Sequence, residues 1–163
     1  MVGSLLGAAC GDALGAAFEG AGTVPAASIH RWLAGSRTLR YTDDTTMTLV
    51  LARHLVAHRG DMDLDRLAMD FAEEWRADPG QGYGSAPPKI FRAVLAVGDW
   101  AKVSGGVFGG AGSWGNGGAM RVAPVAHLPQ PLRYRTQVAP VARPRSPMPN
   151  GSPRTALPCS VPR

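Results

Sequence analysis

From residue 128 onward the chain loses the pattern needed to bury a core. The stretch LPQPLRYRTQVAPVARPRSPMPNGSPRTALPCSVPR holds nine of the 14 prolines. Each proline fixes φ and removes a backbone donor, so neither a helix nor a central strand runs through such a segment. With no helical or alternating apolar period, it is expected to form an unfolded tail (128–163) behind one folded unit (1–127). Two origins fit the tail. It is either a Pro/Arg arm for nucleic acid or the product of out-of-frame translation of a GC-rich gene, and the excess of 15 Arg over two Lys favours the second.

Charge follows the same division. The net charge of +5 and pI near 9.9 suggest a polyanion partner for the whole chain. Up to His127, however, eleven Lys or Arg stand against twelve Asp or Glu, and the tail carries six Arg with no acid. Nucleic acid is therefore not the expected partner of the folded part. Cys10 and Cys159 are too few for a disulfide framework, which points to a reducing compartment. The apolar start MVGSLLGAACGDALGAAF has no positive residue before Arg31 and is interrupted by Asp12, so it does not read as a secretion signal. No stretch is long enough without a charge to span a membrane. A cytoplasmic, monomeric protein is expected.

The local patterns are helical throughout. Glycine recurs at 3, 7, 11 and 15 within residues 3–18, and a helix there needs a tertiary reason, such as a neighbouring backbone packed on the glycine ridge. Asp12 and Glu19 share a face of that helix; Glu19 is either a functional acid or an exposed residue of the following loop. Met47, Val50, Leu51, His54 and Leu55 define an amphipathic helix from Thr45 to about Arg59, ended by Gly60. A second such face, Leu64, Leu67, Ala68, Phe71 and Trp75, spans about Leu64 to Arg76. A third helix opens at Pro87 and Pro88 with Ile90, Phe91, Val94 and Leu95 inward, and a further one starts near Ala119. No strand pattern is present, so the expected class is all-α.

Several motifs test poorly against their own chemistry. DMDLD (Asp61, Asp63, Asp65) opens like a calcium loop, but Arg66 and Ala72 stand where the loop needs Gly and a bidentate Glu, which leaves helix N-capping. His54 and His58 have the i, i+4 spacing of a zinc pair but no third ligand, and are read as the last turn of a helix. GAGSWG matches the dinucleotide fingerprint, yet no strand precedes it and no acid follows Asp99. The surrounding SGGVFGGAGSWGNGGAM is then a glycine-rich loop entering a helix. It is either an anion site made of free N–H groups or a flexible connection. RYTDDTTMT places Thr42, Asp43 and Asp44 in a row at a helix entry. Oxygens so placed suit a hard cation such as Mg²⁺, and equally suit capping of the helix.

Four blocks taken in order resemble the ADP-ribosylglycohydrolase family: GAACGDALGAAFEG (7–20), YTDDTTMTLVL (41–51), ADPGQGYG (77–84) and GSWGNGGAMRVAPV (112–125). The resemblance implies an all-α orthogonal bundle with a two-Mg²⁺ centre. It implies metal binding by Thr42, Asp43 and Asp44, and a mobile acid, Glu19, that together with Asp43 and Asp44 serves catalysis. Gly112, Ser113, Trp114, Gly115 and Asn116 fall along the ADP-ribose diphosphate and ribose, with Gly82 and Tyr83 at the rim. The reaction implied is hydrolysis at the anomeric carbon of ADP-ribose on a modified protein or related conjugate, and GYG with GSWGNGGAMR leans towards O-linked conjugates.

One departure limits these expectations. Family members carry an Asp-x-Asp-Thr element in a second half, and nothing after Val125 resembles it. The expectation is thus the N-terminal part of such an enzyme, inactive alone. The competing reading is a non-catalytic ADP-ribose-binding module that uses the basic tail for nucleic acid.

Overall fold

A computed structural model describes residues 2–36, 38–106 and 116–129. The helix with the strongest core pattern lies at the centre. It is α3 (Asp43–Ala57), and Met47, Val50, Leu51, His54 and Leu55 are all buried along it, as their spacing predicts. Arg59 (φ 54) and Gly60 (φ 90) break it in left-handed backbone, with the Gly60 N–H donating to the Leu55 carbonyl at 2.7 Å.

α1 (Val2–Gly15), α4 (Leu64–Ala77) and α7 (Gly117–Met120) pack on α3, α5 (Pro87–Val97) and α6 (Trp100–Gly106) pack on α4 and on each other, and α2 (Ala26–Leu33) follows α1. Short 3₁₀ turns cover Ala16–Phe18 and Ala123–His127. The described residues contain no strand, so the fold is all-α. Leu67, Ala68, Phe71, Ala72 and Trp75 of α4, Phe91 and Val94 of α5, and Val125 complete the core against α3. Asp63 caps α4 by accepting the Arg66 N–H at 3.0 Å, the capping role expected of that acidic run. Pro87 opens α5, and Gly98 (φ 69) closes it. No helix among the described residues is long and apolar enough to cross a membrane.

Two expectations need correction, and one element was not expected. A Cβ added at Gly3, Gly7, Gly11 or Gly15 meets nothing within 4 Å, so no backbone packs on the glycine ridge among the described residues. α1 fully buries no side chain, and its contacts with α3 and the last 3₁₀ turn include hydrogen bonds accepted by Asp12 and that between Ser4 Oγ and His127 Nε2 at 2.7 Å. The glycine-rich segment is not loop from its start: α6 runs through Ser104, Gly105 and Gly106. Its entry is stabilised by Asp99, which accepts the Lys102 N–H at 2.9 Å, and by Asp65, which accepts the Trp100 N–H at 2.6 Å. Finally, α2 has no counterpart in the sequence reading. Its short amphipathic face is seated by Trp32, edge-on to Phe18 with ring centroids 5.3 Å apart.

Candidate metal and substrate site

A helix leaves its first N–H groups without partners. In α3 these are met from two sides. Thr42 is the N-cap, and its Oγ1 accepts the Asp44 N–H at 3.4 Å. Asp12, projecting from α1, meets the N–H groups of Thr42 and Thr45, and the Asp43 carboxylate accepts its own N–H. Asp12 Oδ2 accepts the N–H of Thr42 (2.8 Å), the N–H of Thr45 (3.1 Å) and the Thr45 hydroxyl (2.6 Å), and Asp12 Oδ1 accepts the Thr42 hydroxyl (2.8 Å). Burial raises the Asp12 pKa, but the four hydrogen bonds outweigh it and hold the carboxyl below its ordinary value. The other hydroxyls of the run serve backbone carbonyls. Thr46 donates to Thr42 O at 3.1 Å, and Thr48 donates to Asp44 O at 2.7 Å.

With most of the capping taken over by Asp12 and Thr42, the Asp44 carboxylate is left over and the Asp43 carboxylate keeps a bond from its own N–H. Asp44, Thr45 and Thr48 line an open cleft of ≈ 520 Å³ with Asp12, the exposed Glu19 and Met120. Among the described residues no Lys, Arg or His lines it. Asp43 is buried at the same turn, and its pKa is pushed up to about 6, first by burial and then by the negative charge of Asp44, with Glu19 and Asp12 adding to it. Asp44 is raised as well, by burial and by Asp12 and Glu19. Three carboxylates thus line one concavity and, with the buried Asp43 beside Asp44, repel one another with no cationic side chain in the lining among the described residues. Arg121, next to Met120, does not relieve them; its guanidinium lies 4.7 Å from the Phe71 ring centroid and 3.8 Å from Met47 Sδ.

This donor set fits a hard cation. Mg²⁺ takes one or two carboxylates, keeps several waters and does not need a full protein cage. Among the described residues no three acidic, His or Cys side chains converge closely enough to hold one ion between them. The residues that could hold Mg²⁺ are therefore Asp43, Asp44 and the remaining lone pair of the Thr42 hydroxyl.

The sequence-predicted residues fall in three groups. Thr42, Asp43, Asp44 and Glu19 come together. Gly82 joins them from the α4–α5 loop: at φ 87 it is packed so that a Cβ would lie 3.4 Å from Thr42 Cβ and 3.8 Å from Asp43 Oδ1. Tyr83 lies behind this turn, packed edge-on to Phe91 at 5.9 Å. Its hydroxyl is buried without a partner among the described residues, and its pKa is pushed up to about 12 by burial and then by Asp43, Glu74 and Asp78. Asn116 is exposed at the entry to α7. Gly112, Ser113, Trp114 and Gly115 lie outside the described residues. The residues that sequence reasoning missed are Asp12 as acceptor and Thr45. A lone acid inside an apolar, glycine-rich helix was the available signal for Asp12.

Comparison with known proteins decides the family. The model of the ADP-ribosylglycohydrolase family matches residues 1–161. This chain belongs to that family. As a member of the ADP-ribosylglycohydrolases it is 38% identical to ADP-ribosylhydrolase ARH3 of Gallus gallus over 149 residues, 81% of this chain and 39% of that protein. It is 38% identical to ADP-ribosylhydrolase ARH3 of Mus musculus over 138 residues, 76% of this chain and 37% of that protein. The corresponding Homo sapiens protein is 35% identical over 138 residues, 76% of this chain and 38% of its own length. The chain thus spans about two-fifths of the curated relatives it matches. The four blocks that suggested this ADP-ribosylglycohydrolase family all lie inside the matched span.

Proposed function

We propose that this chain is the N-terminal portion of a Mg²⁺-dependent ADP-ribosyl hydrolase that cleaves the bond at the anomeric carbon of ADP-ribose on a modified protein or related conjugate. The observation that carries the reading is the set of three carboxylates, Asp12, Glu19 and Asp44, that line one open cleft with the buried Asp43 beside them, uncompensated by any basic residue of the lining among the described residues. A bound divalent ion in such a site holds sugar hydroxyls and lowers the pKa of water. The chain's own residues do the rest. Asp43 and Asp44 hold negative charge at the N-terminus of α3, and Thr42 adds a neutral oxygen beside them. Glu19, exposed at the cleft edge, is free to accept and return a proton there. Gly82, in left-handed backbone at φ 87, packs against Thr42 and Asp43.

The preferred substrate class is O-linked ADP-ribose, in keeping with GYG at 82–84 and GSWGNGGAMR at 112–121. All twelve acids of residues 1–163 lie at or before Asp99, so a second ion would need carboxylates from outside these residues. We therefore expect this chain alone to bind ADP-ribose with Mg²⁺ but not to turn over. Calorimetry with ADP-ribose, with and without Mg²⁺, and chromatographic assay of ADP-ribose released from a serine-ADP-ribosylated peptide test this. Saturable heat only with Mg²⁺ supports the reading; no heat under either condition removes it.

A further inference from the structure

A hydroxyl has one proton and two lone pairs, and which of them faces a neighbour decides whether it can ligate a cation. Asp43 and Asp44 follow Thr42 directly. An unconstrained Thr42 hydroxyl would give its proton to one of these carboxylates and so become their hydrogen-bond donor instead of a fellow ligand. Asp12 prevents this. It is acceptor-only when ionised, and it takes the Thr42 proton on Oδ1 at 2.8 Å. One lone pair of Thr42 Oγ1 faces the Asp44 N–H at 3.4 Å, which leaves a single lone pair uncommitted. The Thr42 and Thr45 N–H groups both bind Asp12 Oδ2, so the backbone that carries the hydroxyl is held by the same carboxylate.

We infer that Asp12 is a positioning residue that sets the direction of the Thr42 hydroxyl, turning a lone pair, and not the proton, toward a divalent cation at the N-terminus of α3. The inference rests on the metal-binding reading above. Its chemistry is that of an outer carboxylate that orients an inner ligand, a relation whose loss typically costs ten- to a hundredfold in metal affinity. Thr45 serves as an internal contrast. Its hydroxyl gives its proton to Asp12 Oδ2 at 2.6 Å, so it braces the same carboxylate without supplying the proposed ligand.

The test adds Mn²⁺ alone to the full 163-residue chain and follows loss of the free-ion electron paramagnetic resonance signal. Asp12→Asn keeps the shape but offers an amide donor. The expected result is affinity lowered by about tenfold or more, with helical circular dichroism and cooperative unfolding retained. Thr45→Val leaves the Thr42 proton on Asp12, so affinity stays within about threefold of wild type while the unfolding temperature falls. This variant carries the test even if Asp12→Asn does not fold. Unchanged affinity in a folded Asp12→Asn protein, or a Thr45→Val loss as large as tenfold, overturns the inference alone and leaves the metal reading standing. No Mn²⁺ binding by wild type, or binding that survives Asp43→Asn combined with Asp44→Asn, overturns the metal reading and this inference together.

Discussion

Asp43 is 8% exposed, with Asp44 beside it on α3 and Glu19 and Asp12 near it from α1 and the 3₁₀ turn that follows, so its charge is costly in the folded chain. Its folded pKa, about 6, lies above the ordinary 3.8, so the folded state binds the proton more tightly than the unfolded state. The resulting stability is complete below pH 3.8 and is lost as pH rises through about 6. In chelator-treated protein, Asp43→Asn should therefore raise stability at pH 7.5, by roughly 1–3 kcal/mol, and bring little gain near pH 4. Thermal unfolding of the two proteins across that range checks it. With Mg²⁺ present the order should reverse, because a bound cation stabilises the ionised form. At this scale the sequence was informative about identity and silent about partners. Thr42, Asp43 and Asp44 could be singled out because three adjacent oxygen side chains are conspicuous. The acceptor that takes over most of the capping lies 30 residues upstream on another helix, and no spacing rule reports such a pair.

Among the elements, α3 to α5 were legible because each buries one stripe of a 3.6-residue period and carries its own stop signals. α4 owes its start to Asp63, and Asp63→Ala should cost about 1 kcal/mol in urea unfolding. The loop before α5 is more demanding. At Gly82 the backbone is left-handed and an added Cβ lies 3.4 Å from Thr42 Cβ. Gly82→Ala should therefore destabilise by roughly 1–2 kcal/mol, and it should also weaken Mn²⁺ binding, since the strain is transmitted to the turn that holds Thr42 and Asp43. Retained affinity in a destabilised Gly82→Ala protein would separate loop packing from the site. Elements α2 and α6 were not legible. Both are short, and α6 contains Ser-Gly-Gly; they are held by particular partners, Phe18 for α2 and Asp65 for α6, not by propensity.

For the whole molecule, the most consequential feature is α1. It carries the acid that organises the cleft, yet it fully buries no side chain and leaves Val2, Leu6 and Leu14 exposed at 70%, 60% and 39%. Replacing Leu6 by Lys should reduce self-association, seen by light scattering, with little change in unfolding temperature, because no core contact is lost. The basic tail permits another check. Since the part up to His127 has no excess of positive charge, it should show no binding to a fluorescent oligonucleotide at physiological salt. Any weak, salt-sensitive binding of the full chain should disappear on truncation at His127. The sequence by itself determined the helical class, the family and the positions of the oxygen-bearing residues, because periodicity, block order and residue type are properties of the chain read locally. Only the tertiary structure decided that Asp12 reaches the start of α3, that Glu19 faces Asp44 across a cleft and that the glycine ridge stays open. Those outcomes depend on which surfaces meet in space, and hydrogen bonding and burial are settled there, not along the chain.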